Sequence, residues 1–178
     1  MGIPSPLASA LALSTLVVGM QGAGIAAQPS LGPMPLSSLP ADLQPLVREL
    51  QGRGFKFRIA LPPVRQAYGL FQSKTRTLWL SPLTFELGIA RQTFLHEAVH
   101  AVQSCPNGVL TPIGWRYQLA PVVDREISGI LTTRYHHGNR ALEQEAFGLQ
   151  GQSDAVPKLL KALRQRCPLA KPQAQGKG

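Results

Sequence analysis

The chain has 178 residues, enough for one domain with a real hydrophobic core and too few for two ordinary ones. Hydrophobic residues make up 44% and charged residues 15%, which excludes a disordered polyelectrolyte. The formal charge of +9 comes from 18 basic and 9 acidic side chains, with the basic ones scattered from Arg48 to Lys177 and no dense run. That scatter reads as general surface charge, and no specific nucleic-acid partner is expected.

No charged side chain precedes Asp42, and Leu7 to Val18 are apolar or small. Small residues at Gly24, Ala26 and Ala27 then give way to the polar Gln28-Pro29-Ser30. This layout predicts a signal peptide over residues 1–27 and export to the periplasm or the exterior. The apolar run is short for a bilayer span, so no stable membrane span is expected after cleavage. Residues 28–37 read as a linker rich in proline and small residues, and 38–167 as the folded domain. Residues 168–178 read as a disordered tail. The two cysteines, Cys105 and Cys167, are expected to pair, because an even count in an exported chain points to a disulfide.

Within the domain, "SSLPADLQPLVRELQGRG" predicts a helix capped by Ser38, with Pro40 in its first turn and Gly52 and Gly54 at its end. "KFRIAL" alternates, which places Phe57, Ile59 and Leu61 on one face of a strand. "AYGLF" and "RTLWL" flank the turn "QSKT" and predict a β-hairpin. A helix follows from about Ile89 to Ser104, ended by "CPNG". Residues 107–121 are loop-like, and three more helices are expected in "VVDREISGILTT", "NRALEQEAFGLQ" (opened by Asn139) and "PKLLKALRQRC". The order implies an α+β domain, with a small antiparallel sheet packed on the helix of residues 89–104 and further helices after it.

That helix holds "HEAVH", with His96, Glu97 and His100 in the pattern His-Glu-x-x-His. At about 100° per residue, the two histidines lie about 40° apart on one helical face, so their imidazoles can converge on one ion. Neutral imidazole suits Zn²⁺, and Glu97 is offset far enough to reach water beside the metal rather than the metal itself. Leu95, Ala98, Val99 and Val102 form a core stripe about 120° round from the histidines.

"HEAVH", preceded by a hairpin and followed by a helix with "EQEAF", resembles the zincin metalloproteases, specifically a small gluzincin-like form. The resemblance spans about residues 55–150 and implies a zinc hydrolase whose edge strand, beside the motif helix, binds an extended peptide. It also implies that a carboxylate from a later helix completes the zinc site. The metzincin pattern would need Gly at position 103 and His at 106, where the chain has Gln103 and Pro106. The Gly-Thr-rich segment of the aspartate-ligand zincins is likewise missing around Asp124.

Glu143 and Glu145 remain, and about 200° of helical rotation between them keeps both from facing one ion. The Glu-x-x-Ala-Asp pattern of many gluzincins matches "EQEAF" with Glu143 as ligand, although Phe147 stands where the Asp would be. Glu145 is the alternative: it falls on the apolar face with Leu142, Ala146 and Leu149, where a carboxylate needs a partner. Tyr135, His136 and His137 are candidate oxyanion donors or plain surface-loop residues. The expected function is an exported zinc metallopeptidase acting on peptide or protein substrates, with His96, His100 and Glu143 as ligands and Glu97 as general base. The alternative is a non-catalytic exported zinc-binding protein whose basic surface holds an anionic partner.

Overall fold

The computed structural model describes residues 32–133 and 140–169, with side chains left undescribed at 130–133. The expected signal peptide, residues 28–31 of the linker and all but two residues of the tail lie outside these, as do Asn139, Tyr135, His136 and His137.

The fold is α+β, with six α-helices and one three-stranded sheet among the described residues. Helix α1 (Gln44–Gly52) buries Leu46, Val47 and Leu50. With Leu43 just before it, the spacing i, i+3, i+4 and i+7 makes one apolar stripe. The expected cap at Ser38 is displaced. Ser38 ends a separate 3₁₀ turn, Leu36–Ser38, and α1 starts later, with Pro45 in its first turn. Proline at the start of a helix sacrifices no hydrogen bond, and Pro45 sets this boundary. The helix stops at Arg53, where Gly54 takes a φ of 79° that a side chain would disfavour.

Strand β1 (Lys56–Ile59) exposes Lys56 and Arg58 and buries Ile59. Strands β2 (Gly69–Gln72) and β3 (Thr77–Leu80) form the expected antiparallel hairpin. The sheet order is β1-β3-β2, and β1 pairs with β3 in parallel, so the sheet is mixed rather than antiparallel throughout. The long connection of residues 60–68 makes this possible, carrying the chain past the centre to lay β2 on the far edge. Central β3 is buried at three of its four positions, as a strand enclosed on both sides requires.

Helix α2 (Leu83–Glu86) is a single turn leading into α3 (Ala90–Gln103), the motif helix. The apolar stripe Leu95, Ala98, Val99 and Val102 is fully buried, but so are Glu97, His100 and Gln103 to within a few per cent. The helix is enclosed because the sheet packs on one side and α5 (Arg140–Gln150) and α6 (Ala155–Arg166) on others. Between α3 and α5 the chain forms an extended loop and then α4 (Pro121–Thr133), which packs against α5.

Cys105, just past α3, and Cys167, just past α6, form the expected disulfide across 62 residues of sequence. Arg53 reinforces that corner: its Nε donates to the Cys167 carbonyl at 2.7 Å and its Nη1 to Glu49 at 2.8 Å.

Candidate metal centre

His96 and His100 stand one turn apart on α3, and the packing of α5 against α3 brings Glu143 to both. The two Nε2 atoms are 3.1 Å apart. Glu143 Oε2 lies 3.3 Å from His96 Nε2, and Glu143 Oε1 lies 3.5 Å from His100 Nε2. Ligand atoms bonded to one tetrahedral ion at about 2.0–2.1 Å are about 3.3–3.4 Å from one another, so these separations fit a single small cation. Glu143 is 1% exposed, and its Oε1 is buried with no hydrogen-bond partner. A buried carboxylate oxygen without a donor is costly, and a cation among these three side chains would relieve it.

The electrostatics fit the same donor set. Burial pushes Glu143 towards a higher pKa, but hydrogen bonding and charge from His100 and His96 outweigh it and hold the carboxyl well below the usual range. Burial pushes His100 down, and the pull of Glu143 reverses this, raising the imidazole from 6.5 to about 9. In the metal-free cluster the charged Glu143 and protonated His100 face each other at 3.5 Å, an ion-pair contact too long to give Oε1 a good hydrogen bond.

The outer nitrogens of both rings are engaged. His96 Nδ1 is 3.0 Å from Gln150 Oε1, and His100 Nδ1 is 2.7 Å from Gln103 Oε1. Phe147, where the resemblance would put an aspartate, packs edge-on against the His96 ring at 4.7 Å. Gln150, one turn further along α5, makes the polar contact that Phe147 cannot. Neither glutamine was singled out from the sequence. The usable signal was periodicity: Gln103 follows His100 by three residues and Gln150 follows Glu143 by seven, spacings that keep a helical face.

Glu97 lies outside the three-residue cluster and packs against β2, 6% exposed. Burial pushes its pKa up, and the histidines and a hydrogen bond from the Phe71 backbone offset this only in part. Gly69 of β2 makes room for it. A Cβ built there would sit 2.5 Å from Glu97 Oε1 and 2.8 Å from Thr93 Cγ2, so a side chain at 69 would displace the carboxylate. Glu97, His96 and Glu143 border a cleft of about 570 Å³. Residues 64–69 form one wall, with Phe147 and Ile89 among its apolar surfaces.

Glu145, the alternative third ligand, is not in the cluster. Its Oε2 accepts from Gln103 Nε2 at 2.9 Å and from the Ile113 N–H at 2.8 Å. Its Oε1 accepts from the Gly114 N–H at 2.6 Å and the Trp115 N–H at 2.9 Å. Helical geometry separates it from Glu143, and the loop supplies the partner that its apolar position demanded. No family model, no curated protein and no solved structure matches this chain.

Proposed function

We propose that the chain is an exported zinc-dependent hydrolase of peptide bonds, with His96, His100 and Glu143 as zinc ligands and Glu97 as general base. The observation that carries this reading is the donorless Oε1 of Glu143, buried against two converged imidazoles at the edge of a cleft. Two imidazoles and one carboxylate suit zinc, and three protein ligands leave a coordination position for reactants, as catalytic zinc sites do. When bound, zinc supplies Lewis acidity that polarises a carbonyl and makes water a stronger nucleophile near neutral pH.

Glu97 handles the proton. Its carboxylate takes a proton from the attacking water and passes it to the departing amine. The burial that raises its proton affinity suits a group that must hold the proton between those events. The edge position of β2, with Tyr68 and Gly69 at the cleft, suits an extended peptide added as a further strand. Residues 1–27 act as the export signal, and the Cys105–Cys167 disulfide is compatible with an oxidising destination.

The test is metal analysis of the purified mature protein, followed by digestion of a peptide library with zinc-loaded and chelated samples. One zinc per chain and cleavage that stops on chelation are expected. Zinc without cleavage would make this a non-catalytic zinc-binding protein, and absence of zinc uptake would refute both.

A further inference from the structure

The Gln103 side chain is fully buried, and its orientation is set by what surrounds it. Its Nε2 donates to the Leu142 carbonyl at 3.0 Å and to Glu145 Oε2 at 2.9 Å, which uses both of its hydrogens. Rotating the amide would aim its oxygen at two acceptor oxygens and take one donor from each, which is costly in a buried site. Gln103 Oε1 therefore faces His100 Nδ1, and an amide oxygen only accepts. Neutral His100 must carry its hydrogen on Nδ1, leaving Nε2 as the nitrogen that can offer a lone pair to the cluster.

Glu145 is what closes this arrangement. Its four N–H donors match the four sites a carboxylate offers, so it has no remaining capacity for an ion. Three consecutive backbone amides converging on one anion form a nest, and Gly114 reaches the required conformation with a φ of 104°. The same loop is held from its other side by Arg166, which donates to the carbonyl of Pro112 at 2.7 Å and of Thr111 at 3.2 Å.

We propose that Glu145 and Gln103 are positioning residues for the metal centre. Glu145 locks the Gln103 amide, Gln103 fixes the tautomer and ring orientation of His100, and the same carboxylate ties the 113–115 backbone to α5. This rests on the zinc reading above. Partners that orient a metal-bound histidine are typically worth about 10–100-fold in metal affinity, and that is the size of effect expected here.

The test compares wild type, Gln103→Met and Glu145→Gln, with Val47→Ala as a control that loosens the core on α1, which packs mainly on α6 and the preceding turn rather than on α3 or α5. Gln103→Met keeps the shape and removes the amide. Glu145→Gln turns an NH₂ towards existing donors and frees Gln103 to rotate. Zinc affinity is read by chelator competition on folded protein, and the His100 nitrogen carrying hydrogen by two-bond ¹H–¹⁵N NMR of metal-free protein at a pH where the imidazole is neutral. Both network variants should bind zinc about 10–100-fold more weakly and lose the uniform Nδ1–H state, while the control keeps wild-type affinity and tautomer. Variants that match wild type in affinity and tautomer, or a control that loses affinity equally, would overturn the proposal. Wild-type protein that takes up no zinc would overturn the metal-centre reading itself and the proposal with it.

Discussion

Helix α5 carries two buried glutamates two residues apart, and its two sides treat them in opposite ways. On the side facing α3, Glu143 meets the two imidazoles and keeps one oxygen without a donor. On the side facing the loop, Glu145 accepts four hydrogen bonds. Both are almost fully buried, so burial alone does not distinguish a ligand from a structural anchor. The distinction lies in whether the charge is satisfied by protein donors. A saturated carboxylate is a finished piece of structure, whereas an undersupplied one beside two histidines is a place for a cation.

The largest effect should come from the Glu97 carboxylate at the cleft. Glu97→Gln preserves size and leaves the cluster intact, so zinc content should stay at wild-type level while peptide cleavage falls by about 10²–10⁴. Equal cleavage by the variant would remove Glu97 from the mechanism.

The α5 comparison is broken directly by paired alanine substitutions. Glu143→Ala should weaken zinc binding by more than the about 100-fold upper limit for an indirect contact, because on the proposed reading it deletes a ligand. Glu145→Ala should retain measurable zinc affinity but destabilise the fold, since amides of residues 113–115 lose their acceptor at about 1–3 kcal/mol for each one left unsatisfied. Chelator competition and denaturant unfolding of both variants check this. The reverse pattern would make Glu145 the ligand.

Cys105→Ser with Cys167→Ser should cost about 2–4 kcal/mol, the usual contribution of a disulfide closing a long loop. Denaturant midpoints of the two proteins measure it. Loss of the bridge should loosen the α6 end that holds the 111–112 carbonyls, leaving the His96–His100–Glu143 side less affected.

The smallest effect is a pH dependence. In the metal-free protein Glu143 raises His100 to about 9, above its ordinary 6.5. A base whose folded-state pKa is raised adds stability that is fully present below 6.5 and is lost as pH rises through about 9. On the proposed reading, zinc would compete with that same proton. Its affinity should therefore climb with pH by up to about tenfold per unit and flatten above about 9. Zinc titrations across this range check the slope, and a flat profile would separate His100 protonation from metal uptake.

Much was legible from local pattern. The alternation in "KFRIAL", the turn between "AYGLF" and "RTLWL" and the helical periods follow from side-chain spacing, and the structure carries elements at those places. The convergence of His96 and His100 is likewise local, because residues i and i+4 share a helical face wherever the helix lies. The sequence alone also assigned Cys105 and Cys167 to each other, since two cysteines permit one pairing. What it left open was every choice made by packing. Glu143 and Glu145 stand on the same short stretch of helix, and only the docking of α5 between α3 and the 111–117 loop decided which meets the histidines and which fills a nest. Gln103 and Gln150 carry no motif, and their importance comes from the imidazole nitrogens set opposite them. The parallel pairing of β1 with β3, and the Gly69 gap that admits Glu97, depend on how strands distant in sequence come together. Residue spacing fixes direction around one helix, while the partner across the gap is fixed only when two elements pack.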